Sequence, residues 1–289
     1  MLAAIFSLAF FAQVLRIAVP SALAAMGGSI TERSGVIDLA IESKLLFGAF
    51  FAAAAAHATG SAYVGILGGM LAGAVVAGIQ IWCALRMGAD QVLVGVALNL
   101  VALGGTRFLL QLIYHEGANS PPVAGFGNAV ATNPLVWLAI AAAIALPIAI
   151  KRTRWGLRLR AAGERPDALV SVGVSPTRAR LAAALVGGAL AGAGGAQLSL
   201  SVGGFVADMS GGRGYIALAM VILSGWRPLY AAIACASIAF ADAINIQLQV
   251  ASVGVPHELA QLVPYVLTVL VLAIAGGGHG HPPRALGKS

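Results

Sequence analysis

From Leu45 to Leu85 the chain carries no Asp, Glu, Lys or Arg. Water cannot cover so long an apolar run, and in lipid every backbone amide within it must bond internally, which makes it helical. A span needs about 20 residues. The run is therefore too long for one span, and the polar centre His57-Ala58-Thr59-Gly60-Ser61 divides it into two. The whole chain has the same character. Of its 289 residues 60% are apolar and 9% charged, against about 45–50% and about 25% in soluble domains. This composition excludes disorder, collagen, a nucleic-acid-binding domain and a disulfide scaffold, and predicts an all-α polytopic membrane bundle.

The other apolar runs follow the same rule. Leu2–Ile30 holds a single charge, Arg16, with Pro20 in its middle, and reads as a long or kinked span rather than a cleavable signal, since no basic n-region precedes it. Gln91–Tyr114, Pro134–Ile150, Leu181–Val202, Leu229–Val250 and Leu259–Ala275 are further spans. Two stretches read as broken or re-entrant helices: the charged segment around 31–44, and 205–226, where a Gly-rich stretch precedes a short apolar run. The total is about 8–9 membrane segments in one domain, 1–289. Cys83 and Cys235 fall inside spans at no metal or redox spacing and read as small apolar residues.

Charge is concentrated in one place. Eight basic residues lie between Lys151 and Arg180, opposed only by Glu164 and Asp167. That is the signature of a cytoplasmic loop, and counting spans forward puts the C-terminal tail, with Arg284 and Lys288, on the same side. Within the loop, Gly163-Glu-Arg-Pro-Asp-Ala168 has the acidic residues and proline of a helix start. A short helix from Ala168 to Val172 then stops at Gly173. Two readings stand: a docking element that takes force from a partner, or an ordinary positive-inside loop.

Small residues recur at helix-packing spacing at Gly65, Gly69 and Gly73, and again at Gly188 and Gly192. The phrases Gly68–Ala74 and Gly187–Ala193 are alike, as are Gly35–Ala40 and Gly214–Ala219. Their offsets differ, so a simple duplication does not explain them. The C-terminal Leu-Gly-Lys-Ser lacks the first glycine and the following helix of a phosphate loop, and Gly212-Arg-Gly-Tyr has no βαβ setting. His279 and His281 could meet a metal, with a solvated tail as the default reading. No nucleophile–base pair or carboxylate pair stands out, so neither catalytic residues nor a metal site is expected.

With these motifs in place, a family resemblance becomes visible. Thr31-Glu-Arg-Ser-Gly-Val-Ile-Asp-Leu-Ala-Ile-Glu42, followed by Leu-Phe-Gly-Ala-Phe50, resembles the signature SERSGVINIGLEG…GAF of permease subunits of ATP-binding-cassette (ABC) importers for simple sugars and nucleosides. These are related to the ribose and branched-chain amino acid permeases. Leu157–Ala168 with Val172-Gly-Val174 is similar to the family's cytoplasmic coupling segment. Gly188–Gln197, Gly211–Ala219 with Gly225-Trp-Arg-Pro228, and Pro264-Tyr-Val-Leu-Thr268 match later blocks. Asp38 stands where Asn is common, and Ser43 where Gly usually follows the Glu.

The resemblance implies a permease that translocates a nucleoside or simple sugar by alternating access in the inner membrane of a bacterium. It implies two ABC ATPase subunits that hold the ATP and Mg, a second permease, alike or different, and an extracytoplasmic solute-binding protein. It carries the coupling role onto Gly163, Glu164, Pro166, Ala168 and Gly173. The alternative is a self-sufficient secondary transporter or channel.

Polar groups inside spans are costly and face a partner or a path. Asp242, Asn245 and Gln249 share one face of a predicted helix. They offer hydrogen bonds to a solute hydroxyl or form a polar seam between helices. Asn99, mid-span, either lines the path or bonds a neighbouring backbone. Arg107 is placed to snorkel, and Trp226 and Tyr230 either stack on a base or sit at the interface.

Overall fold

In a computed structural model the residues described are 8–126, 130–250 and 281–287. They form helices α1 (Leu8–Arg33), α2 (Ile41–Thr59), α3 (Ala62–Arg86), α4 (Gln91–Tyr114) and α5 (Pro134–Arg152). Then follow α6 (Arg154–Glu164), α7 (Pro166–Ser171), α8 (Pro176–Val202), α9 (Arg213–Leu223) and α10 (Pro228–Val250). Among the described residues the only ladder contact is an isolated bridge, Asn119 to Val206.

Six of these helices are long and apolar enough to cross a membrane: α1, α3, α4, α5, α8 and α10. The difference from the larger expected count has physical causes. In α2, Glu42 and Lys44 occupy the first turn. With 11 residues, α9 spans about half a bilayer. The expected span Leu259–Ala275, with Pro264, lies outside the described residues, as does His279. Both expected breaks are present, at residues 34–40 between α1 and α2, and at 203–212 before α9.

Local signals set the boundaries. The α2–α3 division falls at Gly60, whose left-handed backbone closes α2. The Asp90 carboxylate caps α4 by accepting from the Val92 and Leu93 amides. Asn133 caps α5 and Ser175 caps α8, each just before a proline in the first turn. Thr153 caps α6, and here the structure corrects the sequence reading: Lys151–Arg180 is not one loop with a short helix but contains two helices, α6 and α7. Arginine is a good helix former, and α6 buries Leu159 and Ala162 while Arg154 and Arg158 face outward. The short helix itself runs over Pro166–Ser171, with Gly173 at φ +74° behind it.

The core is built around α8. From Gly187 to Leu200 nearly every α8 residue is buried, and α1, α2 and α3 all pack against it. The two similar glycine phrases turn out to face each other. A methyl group on Gly73 would strike the Gly188 carbonyl, and one on Gly192 would strike the Gly69 carbonyl. Gly48 of α2 meets Gly192 in the same way, and Gly27 of α1 meets Gly187. The other similar pair is also brought close, since the Glu42 carboxylate, two residues past Ala40, accepts from Gly214.

The bundle has two distinguishable ends. The basic segment lies at one, because Gly163 abuts the Arg33 carbonyl and Gly35. Ala285 N donates to Gly163 O (2.8 Å) and Gly287 N to Gly35 O (3.1 Å), so the described tail lies at this basic end too. At the far end, the connection after α4 pairs with the segment after α8: Ser120 N to Phe205 O (2.8 Å), Val123 N to Gly203 O (2.9 Å) and Ala207 N to Ala118 O (2.7 Å).

Replacing Gly192 by Val is expected to force α2 and α3 off α8. Thermal unfolding of the detergent-solubilised chain should show a destabilisation of at least about 1–3 kcal/mol, the usual penalty of overpacking. The same change at Gly104, where an added Cβ meets nothing within 4 Å, should have little effect.

Candidate functional site

The chain concentrates its buried polar groups at the α1–α2 break. Thr31, Glu32, Ser34, Asp38, Glu42, Ser43 and Lys44 are all buried. Lys44, with no exposed surface, forms a salt bridge to Asp38. Asp38 is the residue that departs from the family's usual Asn, and Lys44 neutralises the charge it adds. Glu32 bridges two elements, its Oε1 accepting from the Asp38 amide (3.3 Å) and its Oε2 from Trp226 Nε1 (2.6 Å). Trp226 takes a left-handed φ of +59°, rare for an aromatic residue, and its burial and the Glu32 bond hold it there. This places Trp226 in the core rather than at an interface, whereas Tyr230 is exposed under the Arg227 guanidinium.

Glu42 has a separate task. Its two carboxylate oxygens accept from the amides of Gly212 (2.9 Å) and Gly214 (2.6 Å). The first turn of a helix leaves amides without partners and carries partial positive charge. In α9 that turn sits inside the bundle, and Glu42 supplies the missing acceptor and the opposite charge. Ser43, where the family favours glycine, lies in the first turn of α2 and needs no left-handed backbone. Its hydroxyl donates to Ala40 O (2.7 Å).

Side-chain amides clamp the irregular residues 34–40. The Gln91 Oε1 accepts from Ile37 N (2.8 Å) and Gln80 Nε2 donates to Ile37 O (3.0 Å). Asn99 Oδ1 accepts from Ser43 N (3.0 Å), while its Nδ2 donates to Leu39 O (2.9 Å) and Tyr215 Oη (3.2 Å). Of the two readings of Asn99, the structure thus displays the backbone bond. A buried backbone without such partners is costly, and three side chains from α3 and α4 provide them.

At the basic end, α6 and α7 carry the coupling candidates. Gly163 is buried against α1, while Glu164, Arg165 and Asp167 are exposed. A cleft of about 580 Å³ lies beside them, lined by Glu164, Pro166, Ala168, Arg180 and, from the tail, Arg284. Gly173 lines a second hollow of about 300 Å³ with Trp155 and Arg178.

Toward the far end a crevice of about 250 Å³ opens between α1, α8 and the segment before α9. Arg16, Gln197, Ser201 and Arg213 line it. Arg213 also borders a small adjoining cavity of about 20 Å³, where Asp242 and Ser21 sit. Asn245 is half-buried one turn on, and the Gln249 side chain lies outside the described residues. Arg107 is exposed. Asp242 therefore shares a hollow with two chain segments, whereas Asn99 belongs to the α1–α2 break. Among the described residues no three His, Cys, Asp or Glu side chains gather as metal ligands would.

Sequence reasoning missed Glu32, Glu42, Lys44, Gln80, Gln91, Gln197 and Tyr215, and it gave Trp226 a different role from the buried bond to Glu32. The available signal was five charged residues within 31–44, beside a run without any. Ions in such a setting need partners, and the partners lie on distant helices.

The break also makes a test. Lys44→Met alone strands a buried Asp38 and should destabilise the chain by about 3–5 kcal/mol. Lys44→Met with Asp38→Asn should recover most of that loss. Unfolding midpoints of the three variants in one detergent measure the coupling.

Comparison with known proteins covers most of the chain. The family described as branched-chain amino acid transport system / permease component matches residues 10–272. The guanosine ABC transporter permease protein NupQ of Bacillus subtilis is 30% identical over 93% of this chain and 92% of its own length. The nucleoside ABC transporter permease protein NupC of Lactococcus lactis is 31% identical, covering 91% of this chain and 90% of its own. The glucose ABC transporter permease protein TsgB13 of Haloferax volcanii is 28% identical over 73% of this chain and 62% of its own. No solved structure matches the chain. With a match over nearly its whole length, a helical bundle of membrane-spanning character and the signature residues gathered at one break, the chain belongs to the branched-chain amino acid transport system / permease component family, membrane subunits of ABC transporters.

Proposed function

We propose that this chain is the permease subunit of an importer that moves a nucleoside across the plasma membrane by alternating access. Eight or nine membrane segments form the bundle, with the basic end and the tail in the cytoplasm. The observation that carries the reading is the placement of two different surfaces at opposite ends of one bundle. The basic end presents α6, α7 and an open cleft, the kind of surface on which a motor subunit can seat. The far half holds a polar crevice open to a small solute. Relatives named for guanosine and nucleosides, matched over about nine-tenths of each chain, favour a nucleoside. A simple sugar is the second reading, favoured by the relative named for glucose.

In this reading ABC ATPase subunits, which hold the ATP and Mg, press on Glu164, Pro166 and Ala168. Gly163 passes the movement on because it has no side chain between α6 and the Arg33 carbonyl. The α1–α2 break then shifts with it, and Glu32 and Glu42 carry the shift to Trp226 and α9. A second permease subunit faces this one, and an extracytoplasmic binding protein delivers the solute. Asp242 and Asn245, with Gln249, line the solute's path, while Asn99 holds the break in shape.

The reading is tested by reconstituting the chain with its ATPase, second permease and binding protein in liposomes. Guanosine uptake should require ATP and the binding protein, and the purified chain alone should give no gradient-driven flux. Flux from the chain alone would instead establish a secondary transporter.

Two further changes probe coupling and sidedness. Glu164→Lys or Gly173→Val, the latter straining a left-handed position, should lower ATP-driven uptake at least tenfold while the subunits still co-purify. A cysteine at Val170, which is 63% exposed, should react with an impermeant reagent only in inverted vesicles. Labelling from outside intact cells would overturn the topology.

A further inference from the structure

Gln197 is 1% exposed and lies in the wall of the far-end crevice. Its orientation is set by Asn133. The Asn133 Oδ1 accepts from Leu135 N (3.0 Å) as the cap of α5, so Asn133 must offer its Nδ2 to Gln197 Oε1 (2.9 Å). That fixes Gln197 Nε2 as the remaining donor, and it has no hydrogen-bond partner among the described residues. A buried donor without an acceptor costs about 1–3 kcal/mol. Native interiors leave few such groups, and each calls for an explanation. Water or a ligand oxygen in the crevice would supply one.

The surroundings narrow the chemistry. Arg213 anchors its guanidinium by donating from Nη1 to Met209 O (3.1 Å), and a guanidinium carries five N–H donors. It stands between the crevice and the small cavity that holds Asp242, a carboxylate that can only accept when ionised. Donors therefore line the crevice, and an acceptor lies just beyond it. A ligand that fits this order has acceptor oxygens or ring nitrogens at one end and hydroxyl groups at the other. At about 250 Å³ the crevice is smaller than most ligand sites, which run from about 300 Å³ upward, so a nucleoside's base occupies it while the sugar lies at its edge beside Arg213 and the adjoining cavity.

We infer that this crevice is a solute-binding station of the permease. A nucleobase accepts from Gln197 Nε2 and Arg213, and a ribose hydroxyl donates toward Asp242. The assignment rests on the nucleoside reading above and deepens it. It also gives the Asn133–Gln197 pair a purpose, since the bond aims the amide.

The test uses the full importer, with Cys83→Ala and Cys235→Ala in this chain and a single cysteine at Ser201, an exposed residue of the crevice wall. The rate at which a small thiol reagent modifies this chain is read by mass, with and without millimolar guanosine. Guanosine should slow modification at least threefold. Gln197→Leu, and independently Arg213→Gln, should raise the half-protecting concentration at least tenfold while Ser201→Cys still reacts at its unprotected rate. Arg213→Gln keeps the test open if Gln197→Leu fails to assemble. An importer that takes up guanosine without protection, or whose protection survives both variants, overturns the crevice assignment alone. An importer that takes up glucose and not guanosine overturns the nucleoside reading and this assignment together.

Discussion

Lipid offers two apolar helices no hydrophobic gain for meeting, so a membrane bundle holds together by close backbone contact and by polar bonds between helices. In this chain α8 supplies the first. Its glycines let α1, α2 and α3 approach until carbonyl groups stand where a methyl would otherwise sit. Three helices around one thin helix leave little volume for polar side chains in the centre. Those side chains therefore collect where helices break, and the two breaks become the chemically differentiated parts of the molecule.

The breaks satisfy each other. An irregular stretch within a bundle exposes amides and carbonyls that nothing in hydrocarbon can bond. The 34–40 stretch is met by Gln80, Gln91 and Asn99 from α3 and α4. The start of α9 is met by Glu42 from α2, and the turn after α9 by Glu32 from α1. Glu42 ties the start of α2 to the end of the second break, and Glu32 ties the first break to the turn after α9, so the two ends of α9 are both held to the α1–α2 region. Asp38 and Lys44 are buried together, and removing either charge leaves the other exposed to the low-dielectric interior.

This cross-linking connects the two ends. At the basic end Gly163 touches α1 just where the break begins, and the tail is bonded to both Gly163 and Gly35. At the other side of the break, α9 leads to Arg213, which borders the crevice. Packed and hydrogen-bonded contacts therefore run from α6 through the α1–α2 break to α9 and the wall of the polar crevice.

Much of this was legible in the chain itself. The apolar runs and the period of their small residues dictate a helical membrane bundle, because a backbone in lipid has no other way to bond. Gly60, Asp90, Asn133 and Ser175 mark helix ends by local chemistry that needs no tertiary context. The basic cluster marks one end, and Pro166, Asp167 and Gly173 mark its short helix. The resemblance over residues 31–50 picked out the segment that matters. What residue order could not supply is pairing: that Asp38 answers Lys44, that Glu42 caps a helix some 170 residues away, that Asn99 serves the break while Asp242 faces a hollow, or that Gln197 keeps a donor in reserve. Helices form from contacts a few residues apart, so their existence is written locally. Which polar group meets which is decided by the orientation of whole helices about α8, and only the folded bundle contains that.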